Sequence, residues 1–368
     1  MSTAFAPASA MAVYAHGSDR GTDVRDQVIV ITGASSGVGR ALARECGRRG
    51  ARVGLIARNT EALEQAAREI RDAGGDALVC PADVADADAV ERAAQAVEDR
   101  WGRVDIWVNA AMATVFAPIT RMTPVEYKRV TDVTYLGYVH GTLAALRRMR
   151  ARDDGTIVQI GSALAYRSIP LQSAYCAAKA AIRGFTDSLR SELIHDGSRV
   201  RVTHVLLPAV NTRQSRRQRN KMAKQQQPVP PLFTPESVAD AILWAAAHAP
   251  REMLVGSPTL EAVWGQKVMP GVLDTYLASA AWEAQFVDEP NEQRGDILFE
   301  TLPDDPGAHG PYRDRERGAD LQMRLRMRPG AVVSTLVVLG VGLALGISRV
   351  TAAANVQLSD GGLRAAKM

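Results

Sequence analysis

The 368-residue chain has few cysteines, little net charge and a single long apolar run. Cys46, Cys80 and Cys176 stand far apart without metal-ligand spacing. They offer neither a disulfide framework nor a zinc site, and they suit a reducing compartment. A formal net charge of +4 is too small to argue for a nucleic-acid partner. Residues 1–25 are rich in Ala, Ser and Gly and lack both an early positive region and a continuous apolar core. They do not read as a secretory signal, and read instead as a poorly ordered lead-in. The rest is ordinary for a globular protein, 46% apolar and 23% charged, with length for one large α/β domain and an appendage.

Short apolar strands alternate with helical stretches. Residues 27–31 form a strand, followed at once by Thr32-Gly33-Ala34-Ser35-Ser36-Gly37-Val38-Gly39 and a helix over 40–49. Strand, glycine-rich turn and helix make a phosphate-binding unit. The glycines let backbone approach a pyrophosphate, and amides at the helix start point at negative charge. Gly33, Ser35, Ser36, Gly37 and Val38 are therefore candidate cofactor contacts. The second strand, 52–57, ends at Arg58, where a site for NAD usually carries an acid for the ribose 2′-hydroxyl. A guanidinium suits a 2′-phosphate, being planar, permanently charged and bidentate, so NADP(H) is favoured over NAD(H). Further strands fall at 77–80, 104–108, 156–160, 199–207 and 253–255. Helices are expected over 61–73, from near Asp86, over 132–150, from Tyr175 to about His195, and from Thr234-Pro235 to 249. This alternation predicts an α/β fold, a doubly wound and mostly parallel sheet with helices on both faces.

Tyr175 and Lys179 are four residues apart in an Ala-rich helical stretch, which sets a phenol and an ammonium on one face. Ser162, just past the end of a strand, could be brought against them by a loop. A phenol beside a fixed cation has its pKa lowered and can exchange a proton with a substrate oxygen near neutral pH.

With Ser162 thirteen residues before Tyr-x-x-x-Lys, and Thr-Gly-x-x-x-Gly-x-Gly at 32–39, the chain resembles the short-chain dehydrogenase/reductase family over residues 26–256. The resemblance implies a Rossmann-type domain in which Tyr175 exchanges the proton on the substrate oxygen and Ser162 orients that oxygen. Lys179 would lower the tyrosine pKa and bind the nicotinamide ribose. It also implies that Asp83, with Val84 beside it, hydrogen-bonds the adenine amino group; Asp83 could equally cap the next helix. Asn109-Ala110-Ala111-Met112 stands where the family carries Asn-Asn-Ala-Gly, so Asn109 keeps a strand-edge role while Ala110 and Met112 depart from the pattern. Thr134 replaces an asparagine that holds a relay water, and as a hydroxyl it would hold that water differently. Pro208-Ala209-Val210-Asn211-Thr212 matches Pro-Gly-x-x-x-Thr except at Ala209, which implies that Thr212, with Val210, meets the nicotinamide carboxamide. His140 reads as helix packing.

Arg213, Arg216, Arg217, Arg219, Lys221 and Lys224 precede Gln227 with no acid among them, in the segment that covers substrate in the family. They suggest either a cationic cover for an acidic or membrane-borne substrate, or a solvated, mobile flap. Residues 257–328 read as a helical extension and linker, with one or two helices over 260–286 and a Pro/Gly-rich link over 303–318. Residues 329–348 are twenty without a charge, enough to span a bilayer as a single hydrophobic helix. Arg324, Arg326 and Arg328 before it, against Arg349 after it, would leave the catalytic domain cytoplasmic and residues 349–368 as a short tail. The expected activity is NADP(H)-dependent interconversion of a carbonyl and an alcohol on a small molecule, with no nucleic-acid partner and self-association left open. Two alternatives stand beside it: a membrane-associated enzyme acting on a lipid or steroid ketone, and a non-catalytic NADP-binding sensor or scaffold.

Overall fold

The computed structural model describes residues 23–292 and 295–327. The described residues through Asp320 belong to one compact unit. A second begins at Leu321, and its described part is the helix Leu321–Met327. The expected apolar span at 329–348 and most of the lead-in lie outside the described residues. Among the described residues no helix is long and apolar enough to cross a membrane.

Seven parallel strands make the core: β1 (Val28–Thr32), β2 (Arg52–Ala57), β3 (Asp76–Pro81), β4 (Ile106–Asn109), β5 (Thr156–Ser162), β6 (Arg201–Leu207) and β7 (Glu252–Leu254), in the order β7-β6-β5-β4-β1-β2-β3. Both β1 and β5 are buried at every residue, as strands covered on two faces must be. Strand order reverses between β1 and β4, which opens a crevice at their carboxyl ends. The covering helices are α1 (Gly37–Arg48), α2 (Thr60–Asp72), α3 (Ala87–Trp101), α4 (Pro124–Thr131), α5 (Gly137–Arg152), α6 (Ser173–His195) and α7 (Pro235–His248).

Local chemistry sets their ends. The Asn59 and Asp86 side chains accept the amides of Ala62 and Ala89 at the starts of α2 and α3, and Gly102 closes α3 with φ at 76°. Asp86, not Asp83, is the cap of α3. The helix expected over 132–150 differs at its start: a π-helical turn, Asp132–Leu136, joins α4 to α5.

The extension is two helices, α8 (Ser257–Val268) and α9 (Pro270–Ala284). Residues 303–318, expected as a free link, are bonded down because their backbone polar groups find partners on the domain. The Gly307 carbonyl accepts from the Gly37 amide at 3.0 Å, Gly310 N donates to Asn211 O at 3.0 Å, and Glu316–Arg317 pairs with Leu232–Phe233.

The basic run is ion-paired along its length, though Arg213 and Lys224 stay more than half exposed. Arg213 and Arg217 pair with Asp304, Arg216 with Glu289, and Lys224 with Asp288. Arg219 pairs with Asp296 and Glu126, and Lys221 with Glu126. Acids far along the chain neutralise cations that look unpaired in local sequence.

Burial would raise the Glu126 carboxyl, but hydrogen bonds from Lys221, the Thr123 amide and Arg219 outweigh it and hold the group at about 2. A carboxyl held below its ordinary 4.5 contributes stability that is complete above 4.5 and lost as pH falls toward 2. Glu126→Gln is expected to cost about 2 kcal/mol at neutral pH. Urea melts of wild type and variant should converge as the pH approaches 2. A gap independent of pH would contradict the ion-pair assignment.

Candidate active site

The turn after β1 is shaped by its glycines. Gly33 has φ at +72°, and a Cβ there would lie 2.8 Å from the Ala111 backbone. Gly37 has φ at +54° and faces the Thr212 side chain. Only glycine takes this backbone without strain. Thr32 Oγ1 accepts the amides of Ala110 and Ala111 at 3.0 and 3.2 Å, tying the turn to the loop after β4. That contact uses the backbone of Ala110, so an asparagine side chain is not needed for it.

A cavity of about 470 Å³ lies along the carboxyl ends of the strands. Arg58, Asp83 and Val84 line it beside β2 and β3; Gly33, Ser35, Ser36, Gly37, Val38 and Ala110 line its middle; Ser162, Tyr175, Lys179, Val210 and Thr212 complete it. Fourteen of the sixteen residues expected at the site therefore share one cavity, and Asn109 and Thr134 do not line it.

Asn109 is fully buried and bonded on every side. Its Nδ2 donates to Gln159 Oε1 at 2.9 Å, Thr142 Oγ1 and Tyr138 O, and its Oδ1 accepts from Trp107 Nε1 at 2.9 Å. It clamps β4 to α5 and β5 and does not line the cavity. Thr134 Oγ1 donates to Ala113 O at 2.8 Å and accepts from Ala113 N at 2.9 Å. Its hydroxyl pins the loop after β4, with its proton and one acceptor position both used by Ala113.

β5 delivers Ser162, and the first turns of α6 deliver Tyr175 and Lys179. Ser162 Oγ accepts the Leu164 amide at 3.1 Å, and the hydroxyl is near enough to the Tyr175 phenol to favour its ionised form. Lys179 Nζ is buried and donates to Ile160 O at 2.7 Å and to Tyr138 Oη at 2.8 Å. Tyr138 Oη itself donates to Ile160 O at 2.9 Å. Tyr138 was absent from the sequence expectations. Its signal was its position four residues after Thr134, one helical turn on.

Burial pushes the Tyr175 phenol well up, against the lowering effect of Ser162. Burial also pushes Lys179 down, to about 7. This reverses the expectation that the lysine charge lowers the tyrosine. Both groups sit where desolvation disfavours the charged form, and Nζ stays 5.6 Å from the centroid of the Tyr175 ring. At neutral pH Tyr175 holds a proton that it can give.

Asp83 is partnered on both oxygens, by the Ala85 amide at 3.0 Å and by Arg129. Arg58 donates to the carbonyls of Phe299, at 2.7 Å, and Ile297. A guanidinium has five N–H donors, so more remain for an anion. The residues present fit a dinucleotide: a glycine turn with amides at a helix start, a cation beyond β2, and proton-transfer groups farther along the cavity.

Parallel sheet, glycine turn and the Ser162–Tyr175–Lys179 cluster define an oxidoreductase of the nicotinamide-dependent, doubly wound class. The short-chain dehydrogenase family pattern matches residues 27–223, and the chain belongs to that family. It is 34% identical to the uncharacterized oxidoreductase YxnA of Bacillus subtilis (strain 168), over 74% of this chain and 77% of that one. It is 32% identical to dehydrogenase/reductase SDR family member 7B of Bos taurus, over 70% of this chain and 82% of the relative. A solved metagenomic short-chain oxidoreductase in complex with NADP superposes with a TM-score of 0.52 at 31% identity, covering 61% of this chain and 92% of the other.

Lys179 gives a prediction with a definite sign. Between about 7 and the ordinary 10.5, an unfolded lysine is protonated while the folded one is neutral. The unfolded state binds more protons there, so wild-type stability rises with pH across this window. Lys179→Met removes the buried ammonium. Its stability gain over wild type should be largest below pH 7 and shrink toward 10.5. Thermal melts across that range test it, and a difference that stays constant would contradict a depressed lysine.

Proposed function

We propose that the protein interconverts a carbonyl and an alcohol with NADP(H), and that the substrate is bulky and apolar. The observation that carries this reading is the meeting of Ser162, Tyr175 and Lys179 in the cavity that Arg58 also lines. In reduction, Ser162 holds the carbonyl oxygen and Tyr175 gives it the phenolic proton. In its ammonium form Lys179 would bind the ribose with the third N–H, left after Ile160 O and Tyr138 Oη are served. When bound, the nicotinamide supplies or accepts the hydride. A phenol kept protonated by burial can give its proton in reduction, and in oxidation it must ionise first.

Arg58 supports NADP(H) over NAD(H) as a fixed guanidinium with free donors, and the solved relative in complex with NADP adds to that support. The substrate class rests on the wall formed by Met112, Ile169, Pro228, Val229, Pro230 and Leu277. An apolar wall favours the lipid-like alternative over an acidic substrate, whose support fell with the pairing of the basic run. A sensor has no use for a buried phenol within reach of Ser162, and that reading is set aside. Attachment to a membrane through residues 329–348 belongs to this proposal. It predicts that the full chain stays with membranes through high-salt and alkaline washing. Its release by salt would mean a surface attachment instead.

The test is a panel of apolar ketones and alcohols, followed by absorbance of the reduced nicotinamide. Tyr175→Phe should lower kcat by at least about a thousandfold while NADPH affinity stays within a few-fold. Arg58→Asp should weaken NADPH by about tenfold or more by removing a charge-assisted contact. Wild-type turnover in the first variant, or an unchanged NADPH/NADH preference in the second, would overturn the assignment.

A further inference from the structure

Residues 295–307 lie beyond the segment that matches the family, yet they return to the end of the cavity lined by Arg58 and Asp83. Four of their carbonyls accept hydrogen bonds from that end of the site. Ile297 O and Phe299 O take Arg58, Leu302 O takes Asn59 Nδ2 at 2.8 Å, and Gly307 O takes the Gly37 amide at 3.0 Å. Ile297, Thr301, Leu302 and Pro306 are part of the cavity wall. Leu298 is 1% exposed and belongs to the same apolar core as Val84 and Val133.

The segment is fastened by charge. Asp296 pairs with Arg219 at 2.8 Å, Asp304 with Arg217, and Asp305 with Arg40 at 3.3 Å. The donors it engages are those that a 2′-phosphate and a pyrophosphate call for: a guanidinium and a helix-start amide. A charged phosphate oxygen is a stronger acceptor than a neutral carbonyl. Cofactor and segment therefore draw on the same groups.

We propose that residues 295–307 are a strap belonging to the cofactor site. It closes over the adenosine half of NADP(H) and yields Arg58 and the Gly37 amide to the phosphates. Cofactor enters and leaves when the Asp296 and Asp304 ion pairs open. The basic run at 213–224 thereby acquires a role in cofactor exchange, as the anchor of the strap. This proposal rests on the NADP(H) reading above.

The experiment uses the full chain and two readouts: NADPH release by stopped-flow fluorescence, and hydrogen exchange of residues 295–307 with and without NADPH. Wild-type release should accelerate with added salt, because salt screens the Asp304–Arg217 pair, whose carboxylate is 52% exposed. In Asp296→Asn/Asp304→Asn it should be about fivefold faster and less sensitive to salt. NADPH should change the exchange of the strap amides in wild type. The salt series and the exchange measurement need no variant, so a misfolded double variant does not remove the test. Failure of NADPH to bind the folded wild type would overturn both this proposal and the NADP(H) reading. Binding with salt-independent release and unchanged strap exchange would overturn the strap alone.

Discussion

The Lys179 ammonium is buried with two protein oxygens for company, the Ile160 carbonyl and the Tyr138 phenol. Taking an ammonium out of water is costly unless partners replace the lost solvent, and two acceptors replace it only in part. The remaining cost appears as a lysine held near 7. The fold sustains it because Ile160 lies on β5 and Lys179 on α6, both fixed by the packed parallel sheet. The same burial keeps Tyr175 protonated, so one desolvated pocket sets the proton inventory of the whole cluster.

Tyr138 holds this arrangement from the side. It accepts from Lys179 and donates to Ile160 O, and its ring lies 4.6 Å from Nζ. The turn that precedes α5 is a π-helix, a form that often marks functional segments. It also carries Thr134, whose hydroxyl fixes Ala113 in the loop after β4. The loop and the lysine are thus positioned from neighbouring turns of one helical stretch.

The parts legible in the sequence were those written in local spacing. Thr32 to Gly39 after an apolar strand, the seven-strand alternation, the Thr234-Pro235 helix start and the Ser162–Tyr175–Lys179 spacing each depend on residues close together in the chain. What stayed hidden depends on distant partners or on burial. Nothing near Arg217 in sequence announces Asp304, and nothing near Arg58 announces the carbonyls of Ile297 and Phe299. Asn109 carries the right letter for a site residue, but its four bonds spend it inside the core. The expected lowering of the Tyr175 phenol follows from proximity of charge alone, whereas desolvation in the fold raises it. Burial is a property of the assembled fold, and a four-residue spacing does not report it.

The most direct measurement of this account is the titration of Lys179 in the intact protein, followed by NMR of its labelled side chain. Burial predicts a midpoint near 7, far below the ordinary 10.5. A midpoint at 10 or above would show that the ammonium is well solvated or fully paired, and would contradict the desolvated cluster on which the proposed chemistry rests.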